Sequence, residues 1–366
     1  MTYILGWKNY NSVFLVGDSV ITIEHPNTDG NRNTFRNQTT FGEDHIYQQG
    51  KTVSEKWLKL YELENRIAIA ISGEIKEAYE GIELLKKAIE TQGEIDLKEE
   101  IKYAFWGKKV GVIIGFYENG KPILISCYCE KDVPFKEHPS NEVVHSGSIS
   151  SEFRLQTEDF FSQIETNEWS DDQLLTSIIA VAQSFCFQKS IISQGVGGFF
   201  SGIRINEGGV CWQKDLAFIP FAHNGKELKK NQLSEIFGQA KMIVTQVRDS
   251  ILFSGSSFIE DPKKATRPFS NFQPDEVITS ETCSNERFAW ASKWGREINQ
   301  NWEERKADYY IFYNTEKPIV ALVYTNETMP FKIIDGSMKF IDFDFLNFVN
   351  SANNRLDDSI SVNLFF

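Results

Sequence analysis

The chain has 366 residues, 41% of them hydrophobic and 24% charged, with a net charge of −13. Such a length fits two globular domains, and the composition excludes a disordered chain, a collagen or a coiled-coil rod. The acidic balance argues against general nucleic-acid binding, and five cysteines argue against a disulfide framework.

No apolar run approaches the ~18 residues that a membrane span needs. Met1-Thr-Tyr-Ile-Leu-Gly-Trp-Lys8 lacks the basic and then apolar pattern of a secretory signal. A soluble cytoplasmic protein is therefore expected, without a membrane partner. The 29 phenylalanines point to aromatic-rich cores.

Tyr3 to Lys8 reads as a strand, Asn9-Tyr-Asn-Ser12 as a turn, and Val13-Phe-Leu-Val-Gly-Asp18 as a second strand that carries Asp18 at its end. Residues 24–50 are rich in Asn, Thr, Gln and Gly and read as a long polar loop. Ile67 to Ser72 is a continuous apolar run, as in a buried strand. A helix follows, with Ile75, Ala78, Tyr79, Ile82, Leu85 and Ile89 at helical spacing. Lys108 to Tyr117 and Pro122 to Tyr128 are strands joined by Glu118-Asn-Gly-Lys121, a hairpin turn. Ser170-Asp-Asp-Gln173 reads as a capping box before a helix through Leu174 and Ile178. Phe199 to Ile205 and Val210 to Trp212 form another hairpin.

Farther on, Leu233, Ile236, Phe237, Ala240, Ile243, Val244, Val247 and Ile251 suggest a helix. Residues 254–284 read as a loop and Glu286 to Arg305 as a helix. Ala307 to Asn314, Pro318 to Thr325 and Ile360 to Phe366 read as strands. Two regions result: 1–220, where strand pairs alternate with helices, and 221–366, a smaller α+β unit without a chemical motif.

The residues with chemistry are Thr2, Asp18 and Lys56. Threonine is small enough for an aminopeptidase to remove Met1, which leaves Thr2 with a free α-amine beside its own hydroxyl. An N-terminal amine, with a pKa near ~8, is a suitable base for such a weak nucleophile.

In these features residues 2–220 resemble the proteasome β-subunit family of N-terminal-nucleophile (Ntn) hydrolases. The matching pieces are Thr2-Tyr-Ile-Leu-Gly6, Val13 to Asp18-Ser19, Lys56-Trp-Leu-Lys-Leu-Tyr61, and Ile67-Ala-Ile-Ala-Ile-Ser-Gly73-Glu74. The resemblance implies an α+β fold, a four-layer αββα sandwich, with an added C-terminal α+β region. It implies Thr2 as nucleophile and base, Lys56 as the cation that lowers the pKa of both groups, and Asp18 as its partner. It implies an oxyanion donor at the Ala70 amide, where the family usually has Gly, and a supporting hydroxyl at Ser146, within His145-Ser-Gly-Ser148. Ile21, Ser54, Ala68 and Ser72 fall at the positions of a substrate pocket. Ser193-Gln-Gly-Val-Gly-Gly198 keeps the glycines of a further family motif and lacks its Asp and Ser.

The expected activity is amide-bond hydrolysis by a threonine-type peptidase that acts on a peptide or protein and assembles as a homo-oligomer. Residues 221–366 offer a surface for a partner protein. Two other readings remain open: a non-catalytic proteasome-like scaffold, and an Ntn amidase acting on a small amide. Cys127 and Cys129 alternate on one strand face and read as packing. His25, His45 and His138 have no metal spacing. Gly195-Val-Gly-Gly198 is not a dinucleotide fingerprint. No cofactor and no metal are expected.

Overall fold

The computed structural model describes residues 2–24, 51–55, 57–91, 96–129, 135–164, 169–189, 195–222, 241–248, 251–258, 274–279, 307–315, 320–328, 331–334, 337–340, 346–347, 350 and 361–365. The protein is mixed α+β, with several antiparallel sheets and few helices among these residues. The chain divides into two compact units. One comprises Met1–Asp171, Ile191–Trp212 and Thr279–Thr282; the other comprises Asp172–Ser190, Gln213–Ile278 and Cys283–Phe366.

The first unit opens with β1 (Tyr3–Lys8), β2 (Val13–Asp18), β3 (Val20–Glu24), β4 (Lys51–Glu55), β5 (Leu60–Leu63) and β6 (Ile67–Gly73). Helices α1 (Ile75–Thr91) and α2 (Leu97–Phe105) follow, then β7 (Val110–Glu118), β8 (Lys121–Tyr128), β9 (Lys136–Glu137), β10 (Val144–Gly147) and α3 (Ser151–Gln163). Helix α4 (Asp171–Lys189) belongs, after its first residue, to the second unit; β11 (Phe200–Asn206) and β12 (Gly209–Trp212) return to the first. These strands make one sheet in the order β10-β1-β2-β11-β12, another in the order β5-β6-β7-β8-β9, and the separate pair β3-β4. The β3-β4 ladder closes the two ends of the long polar segment, whose residues 25–50 lie outside the described ones.

Alternation fixes what each strand face meets. Ile67, Ile69 and Ile71 of β6 and Val110, Val112, Ile114 and Phe116 of β7 pack in one core with Ala78, Ile82 and Leu85 of α1 and Ile101 and Phe105 of α2. The opposite face meets the first sheet. A methyl group on Gly6 of β1 would lie 2.5 Å from Ile113 of β7, and one on Gly115 of β7 would lie 2.7 Å from Val13 of β2. The two sheets approach closely because these positions lack side chains. On the far side of the first sheet, α3 sets Phe153 against Tyr3 and Phe161 against Trp7, with ring centroids 5.0 and 5.1 Å apart. Ser150 caps α3, its hydroxyl accepting from the Phe153 amide at 3.2 Å. Asp96 caps α2, its carboxylate accepting from the Lys98 and Glu99 amides.

The second unit contains β13 (Leu216–Phe221), β14 (Lys241–Arg248), β15 (Ile251–Phe258), β16 (Pro274–Thr279), β17 (Tyr309–Asn314), β18 (Val320–Thr325), β19 (Phe331–Ile334), β20 (Ser337–Phe340) and β21 (Ser361–Phe365). Seven of these form a sheet in the order β16-β15-β14-β13-β17-β18-β21, with β13-β17 and β18-β21 parallel. Within this unit the buried Tyr313 hydroxyl donates to the Ala180 carbonyl of α4 at 3.0 Å.

Three expectations change. Residues 241–251, read as part of a helix, are the strand β14 and the start of β15, and Ile243, Thr245 and Val247 are buried at period two. Residues 254–284 are not all loop: β15 runs to Phe258, and β16 spans Pro274–Thr279. The units are not continuous in sequence: 172–190 already belong to the second, as does β13, which pairs with β14 and β17. The helix expected over 286–305 lies outside the described residues. Among the described residues no helix is long and apolar enough to cross a membrane.

Candidate functional site

Thr2 enters β1 at the edge of the space between the two sheets and is 5% exposed. Its carbonyl accepts from the Ser148 amide at 2.8 Å, which continues the β1-β10 ladder past Tyr3↔Gly147. Alternation sets the Thr2 side chain on the face of Ile4 and Gly6, toward the opposing sheet, while Tyr3 faces α3.

Asp18 ends β2 and is buried. One carboxylate oxygen accepts from the Tyr3 amide at 2.9 Å and pairs with Lys59 Nζ. The other accepts from the Gly197 amide at 3.1 Å. Lys59 is fully buried and also donates to the Val20 carbonyl. Burial pushes the Asp18 carboxyl up, against Lys59 and the two amides, which pull it down. Burial likewise pushes the Lys59 ammonium down, against Asp18. The low-dielectric site therefore narrows the gap between the two proton affinities.

The partner of Asp18 is thus Lys59. Lys56, the expected one, lies outside the described residues. The signal for Lys59 was available: it stands between Leu58 and Leu60 in an apolar run, and a lysine buried there must be paired.

Ser146 lies opposite Ile4 on β10, and its hydroxyl is 2.9 Å from that of Ser72 on β6, so the two sheets meet through these serines. Ser72 also donates to the Gly111 carbonyl at 3.3 Å. His145, one residue earlier, faces the other way: its Nδ1 is 2.9 Å from the Tyr3 hydroxyl. Burial, with Arg154 nearby, lowers its pKa to about 4, so it is neutral at pH 7.

Ala68, Ala70 and Ser72 share the inter-sheet face of β6. Ile21 instead packs against the core under α1 and α2, and Ser54 pairs with it across β3-β4. Ile21 therefore does not share the face of Ala68 and Ser72. Ala70 sits in mid-strand between Leu60 and Ile113. The Ile71 amide donates toward β5, to Lys59. Strand alternation directs the Ala70 amide to β7, inside the ladder, which does not suit an oxyanion donor. Gly197 and Gly198 have φ of 145° and 69°, a left-handed turn that glycine accommodates and that aims the Gly197 amide at Asp18. Ser19 holds the same corner, accepting from the Phe199 amide at 2.8 Å, while its carbonyl accepts from Trp57 at 3.2 Å.

No group of three metal-ligating side chains occurs among the described residues. No known family's model matches the chain, and no curated protein matches it.

Proposed function

We propose that the first unit is a four-layer αββα sandwich of the Ntn type and that the protein is a threonine-type amide hydrolase, best read as a cytoplasmic peptidase that self-associates. The two apposed sheets, with α1 and α2 outside one and α3 outside the other, support that architecture. The observation that carries the activity is the Asp18 junction. It joins a buried lysine, the amide of the residue after Thr2 and a glycine turn, so one carboxylate ties a fixed cation to the backbone next to Thr2.

In this reading removal of Met1 frees the Thr2 amine. The amine takes the proton from Oγ1 as oxygen attacks an amide carbonyl, then returns it to the leaving nitrogen. Water releases the acyl group by the same route. Lys59 favours the deprotonated forms by its charge, and Asp18 orients Lys59. The linked Ser146 and Ser72 hydroxyls lie between the same two sheets.

The test is the intact mass of the purified protein before and after a threonine-directed epoxyketone. Loss of Met1 and one adduct, absent in Thr2→Ala, is the expected result. Retained Met1 with no adduct overturns the reading and leaves a non-catalytic scaffold.

A further inference from the structure

A second group of side chains in the first unit, distinct from the Asp18 junction, has the connectivity of a hydrolytic site. Ser126, near the end of β8, is half-buried, and its hydroxyl lies 2.7 Å from His138 Nε2. His138 follows β9 and is buried, its amide held by the Leu124 carbonyl at 2.9 Å. On the other side of the ring, Nδ1 is 3.1 Å from Glu142 Oε1, a close ion-pair distance without the alignment of a full hydrogen bond. Lys136, opposite Ser126 in the β8-β9 register, reaches the same Glu142 oxygen at 2.6 Å. Tyr128 shares the Ser126 face of β8 and is 40% exposed.

We propose that Ser126, His138 and Glu142 form a second hydrolytic site, a serine nucleophile that accepts acyl esters. Each nitrogen of one imidazole has a different neighbour, a hydroxyl on Nε2 and a carboxylate at Nδ1, which is the order that general-base activation of serine requires. Catalytic hydrogen bonds often align only when substrate is bound, so the bent Glu142 contact is compatible with that role. The ring sits between fixed partners because the β8-β9 pairing and the 138–142 turn bring three short-range elements together.

The steps balance without any co-reactant but water. His138 Nε2 takes the Ser126 proton as Oγ bonds to the ester carbonyl carbon. The carbon–oxygen bond to the leaving alcohol breaks, and His138 returns the proton to that oxygen. Water, deprotonated by the same nitrogen, then attacks the acyl carbon, the bond to Oγ breaks, and His138 returns the proton to Ser126 as the carboxylic acid leaves.

The full-length protein is treated with a fluorophosphonate, and the adduct is mapped by peptide mass. One adduct on Ser126 is expected, with fluoride as the leaving group. It is lost in Ser126→Ala, slowed by about a hundredfold or more in His138→Gln, slowed less in Glu142→Gln, and unchanged in Thr2→Ala. No adduct on Ser126 in the folded wild-type protein overturns the proposal, and this result needs no variant to fold. An adduct that forms equally fast in a His138→Gln protein of unchanged melting temperature also overturns it. Because the Thr2 reading is tested with an epoxyketone, the two proposals fail independently.

Discussion

Lys59 carries its ammonium into a fully buried position, where Asp18 and the Val20 carbonyl replace water. Removing one member of such a pair leaves the other charge uncompensated. Lys59→Met is expected to cost about 3–5 kcal/mol, read from urea denaturation. Lys59→Met combined with Asp18→Leu should recover part of that loss, and a Lys59→Met protein of wild-type stability would refute the assigned pairing. His145 makes a second prediction. Its folded pKa is about 4, below the ~6.5 of an unfolded histidine. As pH falls, the unfolded chain takes the proton first, so stability declines from about pH 6.5 and its loss is complete near the folded value. The loss is at most about 3 kcal/mol. His145→Gln should flatten the wild-type change in urea midpoint between pH 7 and pH 4.5; an equal slope in the variant would assign the effect elsewhere. At this scale the placement of Asp18 at the end of a strand was legible in the pattern of Val13 to Asp18, whereas Ser72 and Ser146 were singled out only through the family resemblance. Lys59 was legible too, from its place between Leu58 and Leu60, but family spacing directs attention to Lys56 instead.

At the level of elements, glycines set how closely the strands around Thr2 approach. Gly147 has φ +105°, and a methyl group there would lie 1.8 Å from the Thr2 carbonyl oxygen. Gly147→Ala therefore combines backbone strain with a backbone clash and is expected to cost about 3 kcal/mol or more. It should also displace Thr2, so epoxyketone labelling should fall with stability; unchanged melting and labelling would contradict the β1-β10 geometry. Gly111→Ala is milder, because its methyl group would meet the Ser146 and Ser72 hydroxyls at 2.4 and 2.6 Å, at a cost of about 1–3 kcal/mol. The strands of the first unit were legible because Ile67 to Ser72 and Val110 to Phe116 are apolar on both faces, as burial between a sheet and a helical layer requires. The error at 241–251 has an equally physical cause. Ile243, Val244 and Val247 satisfy a helical spacing, while Ile243, Thr245 and Val247 satisfy a strand spacing. Pairing with β13 on one side and β15 on the other decides in favour of the strand, and such long-range pairing is invisible to a local period.

For the whole molecule, the sequence conveyed two regions of unlike character but not their border, because β13 looks like one more strand of the first region. It joins the second unit because Leu216 pairs with Thr245 on one side and with Tyr309 on the other, partners distant in sequence that no local pattern links. Charge is the property that sequence alone determines at this scale. A net charge of −13 repels itself most strongly in the compact state. Salt shortens the Debye length from about 30 Å at 0.01 M to about 8 Å at 0.15 M, so it should relieve this repulsion. The melting temperature at pH 7.5 is therefore expected to rise as sodium chloride increases over that range. The same titration near pH 5.0, the isoelectric point, should give almost no rise, because the net charge vanishes there. Local ion pairs such as Lys98–Glu137 act in the opposite sense, since salt weakens them at either pH. A gain at pH 7.5 that disappears at pH 5.0 thus reports the global term, whereas an equal gain at both would attribute it to general salting effects on apolar surface.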